Sequence, residues 1–166
     1  MAISKIKPRH ASEGRSIAAV LKDRIDYDKN PEKTKDGLLV SSYQCSPNTA
    51  WQEFTVSKQI YEAATGRRRA PDEDVISYLM IQSFKPGEIT PEEANRLGYQ
   101  LALEFTGGQH QFIVATHIDK HHIHCHIEFN STASNICKSL GVNSSFPFKR
   151  HKFSDNRSKH RLSNAS

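Results

Sequence analysis

Cysteine is scarce in this chain of 166 residues, and its placement excludes two classes of protein. The chain has three cysteines, Cys45, Cys125 and Cys137, with no CxxC spacing among them. An odd count without paired spacing argues against a disulfide framework and against a zinc site built from thiolates. We therefore interpret all three as reduced cytosolic thiols.

Long hydrophobic runs are also missing. No stretch approaches the roughly 20 apolar residues that cross a bilayer, and the opening decapeptide MAISKIKPRH has no apolar signal core. Hydrophobic residues make up 36% of the chain and charged residues 25%, as in folded domains of this size. We expect a cytoplasmic protein with no membrane insertion, with one domain over residues 1–150 and a basic tail, or the start of a further segment, over 151–166.

Negative charge is in deficit. Lys and Arg total 23 against 18 Asp and Glu, which gives a net charge of +5. A basic balance favours an anionic partner, most commonly nucleic acid, although a charge run is often only a solvated surface. The clearest basic clusters are Arg67, Arg68 and Arg69, and then Lys149 and Arg150. These two clusters are the candidate contacts to the phosphates of a nucleic acid.

Apolar periodicity and turn signals predict the order helix, strand, helix, strand, helix, strand, strand. The predicted helices cover about residues 12–30, 47–66 and 90–106, and the predicted strands cover about 38–43, 75–84, 111–117 and 123–130. This order indicates an α+β domain with a mostly antiparallel central sheet and helices packed on one face of it.

Histidine is the residue that stands out. Along the last predicted strand His124 and His126 alternate with Cys125, so the two imidazoles share one face and the thiol points away. A tight turn after His117 brings that residue opposite His124, where paired Cβ atoms lie about 4.5–5.5 Å apart. Three imidazoles on one side of an ion leave its other side open, which is typical of a catalytic metal site. We predict one divalent ion bound by His117, His124 and His126.

Other interpretations of these histidines stay open. A pair of histidines on a strand is commonly a surface feature, and a histidine-rich tract can bind metal adventitiously. Asp119 is available as a hydrogen-bond acceptor behind a ligand. His122 is a candidate contact to a ligand or to a substrate phosphate, and His110 is interpreted as structural.

Residues 117–126, HIDKHHIHCH, resemble the third motif of plasmid and transposon relaxases, the mobilisation nucleases of the HUH endonuclease class. Residues 25–27, IDY, followed by residues 30–34, NPEKT, are similar to the nucleophile motif of the same family. The resemblance covers about residues 1–150. It implies a strand transferase that nicks one strand of DNA at a transfer origin, leaves a 5′-phosphotyrosine link and later rejoins the strand.

The resemblance also assigns roles. It implies Tyr27 as the nucleophile, the three histidines as ligands, and Asp119 as an acid that orients a ligand or assists the tyrosine. Tyr43 is the second candidate nucleophile. The implied ion is Mg or Mn, with Zn, Ni or Co able to bind as well. The implied partners are single-stranded DNA, accessory DNA-binding proteins and secretion or coupling proteins, and the protein–DNA adduct is exported to a recipient cell.

Three other classes of protein are alternatives to a relaxase. A replication initiator or transposase of the same class generally carries its tyrosine after the histidine motif, and no tyrosine follows His126 here. A metallohydrolase acting through metal-bound hydroxide needs no tyrosine. A basic DNA-binding module with a structural metal performs no catalysis, and a covalent protein–DNA adduct separates the relaxase from these last two.

Overall fold

Five strands and three helices make up most of residues 3–134, the part of the chain that the computed structural model describes. In chain order they are β1 Ile3–His10, α1 Ile17–Asp28, β2 Val40–Tyr43, α2 Ala50–Thr65, β3 Val75–Ser83, α3 Pro91–Thr106, β4 His110–His117 and β5 His124–Ala133. The predicted domain limit at residue 150 lies outside the described residues, as do Lys149 and Arg150.

The strands form one sheet in the order β1-β3-β5-β4-β2, and every neighbouring pair is antiparallel. The predicted α+β class with an antiparallel sheet is confirmed. β5 lies at the centre of the sheet between β3 and β4. In the pairing of β4 with β5, His117 stands directly opposite His124, as the tight turn between the two strands predicts.

Helices cover both faces of the sheet, which corrects the prediction that they pack on one face. Along β4, Phe112 and Val114 belong to a core beneath α3, whereas Ile113 belongs to a second core formed with α1 and α2. The polar side chains on the histidine face of β5 give no sign in the sequence that helices pack there. Glu128 and Asn130 on that face are fully buried, and buried polar groups are tolerated when they are paired.

β1 was not predicted, because its sequence ISKIKPRH has few apolar residues and includes Pro8. β1 is an edge strand that pairs only with β3, and an edge strand tolerates proline because one side needs no ladder hydrogen bond. Ile6 packs against the α3 core. Arg9 lies on the opposite face of β1 from Ile6, and it reaches the histidine side of the sheet.

Two helices begin later than predicted. α1 begins at Ile17, because the Ser16 side chain caps it by accepting a hydrogen bond from the backbone N–H of Ala19 at 3.2 Å. α2 begins at Ala50 rather than at a proline in its first turn. α3 has the predicted bounds, with a Thr90 cap and proline at its first position. Within residues 3–134, none of the helices combines the length and hydropathy needed to cross a membrane.

Candidate metal centre

The three predicted histidines converge at the ends of β4 and β5. One ring nitrogen from each of His117, His124 and His126 lies within 4.8 Å of the other two, a spacing that can hold a metal ion. The ring centroids of His117 and His126 are 4.3 Å apart, and that of His124 is 5.1 Å from the first and 5.3 Å from the second. Because these residues stand on two paired strands, the sheet fixes their spacing.

One ring nitrogen of each imidazole lies within hydrogen-bond distance of a protein oxygen. His117 Nε2 lies 2.7 Å from the Asp28 main-chain oxygen, His126 Nδ1 lies 2.7 Å from Asp28 Oδ1, and His124 Nδ1 lies 3.4 Å from the His122 main-chain oxygen. Main-chain carbonyl and carboxylate oxygens accept hydrogen bonds, so each of these nitrogens carries the proton and donates. The lone pair is then left on Nδ1 of His117 and on Nε2 of His124 and His126. This donor set fits a transition-metal or similar divalent ion.

Burial keeps two of the rings in the form that binds a metal. It lowers the pKa of His117 below its ordinary value, and it lowers the pKa of His124 to about 4. The nearby His126 ring is a further cause of the lowering of both pKa values. A neutral imidazole is the ligand form, so His124 needs no deprotonation to bind an ion at neutral pH.

Asp28 is the functional residue that the sequence analysis missed. It is fully buried, and it contacts two of the three histidines, His117 through its main-chain oxygen and His126 through its carboxylate. A signal was present in the sequence. Leu21, Ile25 and Asp28 recur at spacings of four and three, which places an aspartate on the buried stripe of α1. A carboxylate on an apolar stripe indicates a paired and often functional group.

Asp28 is itself held by Arg9 from β1. Arg9 Nη2 lies 3.3 Å from Asp28 Oδ2, and Arg9 Nε lies 3.0 Å from Glu128 Oε2. Glu128 also accepts a hydrogen bond from the Ser77 hydroxyl. Burial raises the pKa of Glu128 to about 8, although the Arg9 guanidinium opposes that rise. This polar network lies behind the histidines and fixes the Asp28 carboxylate, which orients His126.

Tyr27 lies beside the cluster. Its ring centroid is 6.4 Å from that of His126, and 58% of the residue is exposed to solvent. Tyr27 occupies the last turn of α1, immediately before Asp28, in agreement with the predicted position at the end of the first helix. The helix therefore presents a buried acid to the histidines and an accessible phenol next to them.

Tyr43 lies on the other side of the sheet. Its ring stacks on Phe112 with centroids 5.2 Å apart, and its hydroxyl hydrogen-bonds the main-chain oxygen of Gly108 at 3.4 Å. Phe112 belongs to the α3 core, whereas the histidines stand on the opposite face of β4 and β5. The sheet thus separates the second candidate nucleophile from the cluster.

Asp119 and His122 lie near the cluster in different ways. Asp119 Oδ2 is 4.0 Å from Lys33 Nζ, and its charge raises the pKa of His117, the smallest of the influences on that ring. Asp28 rather than Asp119 accepts the hydrogen bond from His126. The His122 ring centroid lies 5.4 Å from that of His124, and His122 is partly exposed.

Arg67, Arg68 and Arg69 are exposed and follow the C-terminal end of α2, in a loop as predicted. Ion pairs link this loop to Asp74: Arg68 Nε lies 3.8 Å from Glu62 Oε2, and Lys58 Nζ lies 3.7 Å from Glu62 Oε1 and 2.6 Å from Asp74 Oδ1. β3 then runs from that point to Ser83, which pairs with His124. The arginines therefore lie at the end of the sheet opposite the histidines, and their contact with DNA stays a prediction.

A family model described as "Relaxase: MobA/VirD2-like, nuclease domain" matches residues 27–166. The chain belongs to this family. The match begins at Tyr27 and includes the three histidines, and it leaves out β1 with Arg9. Over residues 27–166 the chain corresponds to the nuclease domain of that family.

Individual relatives agree with the family model. The chain is 37% identical over 130 residues to the group II intron-interrupted relaxase LtrB of Lactococcus lactis subsp. cremoris, an alignment that covers 68% of this chain and 23% of that protein. It is 37% identical over 107 residues to the protein rlx of Staphylococcus aureus, covering 64% of this chain and 30% of that protein. The chain thus spans less than a third of the length of these curated relatives.

Proposed function

We propose that this relaxase domain nicks one strand of DNA at a transfer origin by attack of Tyr27 on a phosphodiester, and later rejoins the strand. The observation that carries the proposal is the position of Tyr27, an accessible phenol 6.4 Å between ring centroids from a histidine of the metal-binding cluster. Tyr43 stacks on Phe112 on the far face of the sheet, and so it does not compete for the role.

The chemical step transfers a phosphoryl linkage to the protein. Tyr27 Oη forms a bond to phosphorus as the bond from phosphorus to the 3′ oxygen breaks. The phenol proton is released, and the leaving 3′ oxygen takes up a proton to become a 3′-hydroxyl. The 5′ side of the nick stays joined to the tyrosine, so the bond energy is conserved and the 3′-hydroxyl can reseal the strand without a nucleotide cofactor.

The three histidines are proposed to hold one divalent ion. Such an ion supplies positive charge against the scissile phosphate, where negative charge builds during the reaction. Mn or Mg is the proposed physiological ion, and Zn, Ni or Co is expected to occupy the same ligands because imidazole donors follow the divalent affinity order. Asp28 orients His126 through its carboxylate, and its main-chain oxygen fixes the tautomer of His117.

The proposed partners follow from the DNA substrate. The domain acts on single-stranded DNA in the cytoplasm, aided by accessory DNA-binding proteins, and the protein–DNA adduct passes to a secretion or coupling apparatus for export to a recipient cell. Arg67, Arg68 and Arg69, with Lys149 and Arg150, are proposed as phosphate contacts, and His122 as a contact near the nick. Asp119 is proposed to assist the tyrosine.

The test is the covalent adduct. The protein is incubated with Mn²⁺ and end-labelled single-stranded oligonucleotides tiled across the cognate transfer origin, and the products are separated on a denaturing gel. We expect a downstream fragment joined to the protein through its 5′ phosphate, and an upstream fragment that ends in a free 3′-hydroxyl. Tyr27→Phe removes only an exposed hydroxyl, so it should eliminate the adduct while the thermal midpoint and the DNA affinity stay unchanged. Tyr43→Phe should retain the adduct.

Each other outcome points elsewhere. An adduct that persists in Tyr27→Phe moves the nucleophile to another residue and refutes the assignment. Cleavage without any adduct in the unaltered protein supports a metal-bound hydroxide as nucleophile instead. Binding of the oligonucleotide without cleavage at any metal concentration would support a DNA-binding module and contradict the proposal.

A further inference from the structure

Lys33 has no part in the function proposed above, yet it contacts the proposed nucleophile. Its ammonium Nζ lies over the Tyr27 ring, 4.2 Å from the ring centroid, the geometry of a cation–π interaction. Lys33 belongs to the NPEKT segment that follows α1, and its side chain is 20% exposed. Tyr27 therefore has a histidine ring on one side and a lysine ammonium over its face.

The backbone of Lys33 is fixed relative to the histidine cluster. Its N–H donates to the Asn30 main-chain oxygen at 3.0 Å, in the turn that ends the α1 region. Its own main-chain oxygen accepts a hydrogen bond from the N–H of Ile118 at 2.9 Å, immediately after the ligand His117. The lysine is thus attached by its main chain to the end of the strand that carries a ligand.

The side chain of Lys33 is also anchored. Asp119 Oδ2 lies 4.0 Å from its Nζ, and the Asp119 side chain is 29% exposed. An acid on one side and an aromatic face on the other restrict the rotamers of a long and otherwise flexible side chain. Lys33, Asp119 and Tyr27 therefore form a linked set, which we name the tyrosine clasp.

We propose that Lys33 is a positioning residue that holds the Tyr27 ring beside the histidine cluster, with Asp119 as its anchor. This inference rests on the proposed role of Tyr27 as nucleophile. An exposed side chain changes rotamer within nanoseconds, whereas attack on phosphorus requires the hydroxyl to lie near the phosphate along the line of the breaking bond. A cation over the ring face favours one ring orientation among those that the exposed position allows.

Two variants test the clasp by rate. Lys33→Met keeps the length and apolar stem of the side chain but removes its charge, and Lys33→Arg keeps the charge and the stacking. We expect the single-turnover rate of adduct formation at saturating oligonucleotide to fall about 5- to 30-fold in Lys33→Met and to recover to within about threefold in Lys33→Arg. The dissociation constant for the oligonucleotide, measured separately in Tyr27→Phe backgrounds, should change little by comparison.

The matched control is Lys35→Met. Lys35 has the same charge two residues away, but it is exposed and pairs with Glu92 at 3.1 Å. We expect its rate of adduct formation to equal that of the unaltered protein. A rate loss that Lys33→Met and Lys35→Met share equally, or a Lys33→Met variant that loses DNA affinity and keeps its saturated rate, overturns the inference and leaves Lys33 as a phosphate contact.

A second readout does not depend on the reaction. Fluorotyrosine is incorporated, the fluorine resonance of Tyr27 is assigned by its loss in Tyr27→Phe, and its chemical shift is followed in metal-free protein. The shift should move in Lys33→Met and stay in place in Lys35→Met, and an unmoved shift in Lys33→Met overturns the clasp.

If the unaltered protein forms an adduct at Tyr27 and Lys33→Met reacts as fast, the inference alone fails. If no adduct forms at Tyr27, the proposed function fails and the clasp loses its role.

Discussion

Asp28 offers the sharpest test of how the chain prepares its histidines for a metal. Asp28→Asn preserves the size of the side chain and the main-chain oxygen that holds His117, but it removes the negative charge beside His126 and Arg9. Asp28→Ala removes the acceptor altogether. Asp28→Asn therefore removes the charge beside His126, and Asp28→Ala removes the hydrogen-bond acceptor as well. Both variants leave the three histidines in place.

The expected magnitudes follow from these contacts. Changes to an acceptor behind a ligand histidine typically cost about 10- to 100-fold in metal affinity, or about 1.4–2.7 kcal/mol. Asparagine can still accept the hydrogen bond that His126 Nδ1 makes at 2.7 Å, so we expect a loss of about tenfold for Asp28→Asn. Alanine accepts nothing there, and we expect about 100-fold. Alanine also leaves Arg9, whose side chain is 16% exposed, without one partner, which costs about 1–3 kcal/mol of stability.

The assay is titration calorimetry of metal-free protein with Mn²⁺ at neutral pH, with thermal unfolding measured on the same samples. Asp26→Asn is the matched control. Asp26 lies two residues earlier in the same helix, but its side chain is 43% exposed and pairs with Lys22 at 2.7 Å. Surface pairs of this kind contribute little, so Mn²⁺ affinity should be unchanged. His124→Ala, which deletes a ligand, should abolish binding.

Folded Asp28→Asn that binds Mn²⁺ as tightly as the unaltered protein would refute this role for Asp28. An equal loss of affinity in Asp26→Asn would refute it as well, because the effect would then belong to the charge of α1 in general rather than to the contact with His126.

Three further predictions concern stability and DNA. Burial lowers the pKa of His124 to about 4, so the unfolded chain takes up a proton on this residue at a higher pH than the folded chain does. The thermal midpoint of the metal-free protein should therefore fall as the pH decreases from about 6.5 to about 4. His124→Gln should weaken that pH dependence. A Cβ at Gly98 would lie 3.0 Å from Val114 Cγ1 and 3.3 Å from Cys125 Sγ, so Gly98→Ala should cost about 1–3 kcal/mol in urea unfolding. Replacing all three arginines at 67–69 with glutamine should weaken oligonucleotide binding and flatten its salt dependence, without changing the saturated rate of adduct formation.

The histidine cluster was predictable because every step used a local pattern. Alternation along β5 places His124 and His126 on one face, and a short turn brings His117 opposite His124. The position of Tyr27 at the end of α1 followed in the same way from the periodicity of one helix and a proline beyond it. Local patterns of this kind survive folding because tertiary contacts reinforce them.

The residues that hydrogen-bond to the histidines, and those behind them, were not predictable in the same way. Asp28 meets His126 across 98 positions of sequence, and Arg9 meets Asp28 from an edge strand whose own pattern is largely polar. The apolar stripe of α1 does extend to Asp28, but only the fold shows which groups complete its hydrogen bonds. The coverage of both sheet faces was missed for a related reason, because pairing makes buried polar side chains such as Glu128 compatible with a core.

The central position of β5 in the sheet determines the point during synthesis at which the histidine cluster can form. Until residues 124–133 are synthesised, the sheet consists of two separate ladders, β1 with β3 and β4 with β2, and no strand joins them. Insertion of β5 joins the two ladders and supplies two of the three clustered histidines at once. A nascent chain on the ribosome therefore contains Tyr27 before β5 is made, and it gains the complete histidine cluster only after residues 124–126 have been added. For the same reason, a chain divided within residues 118–123 would carry His117 and Tyr27 on one fragment and His124 and His126 on the other, so the complete cluster would require both fragments.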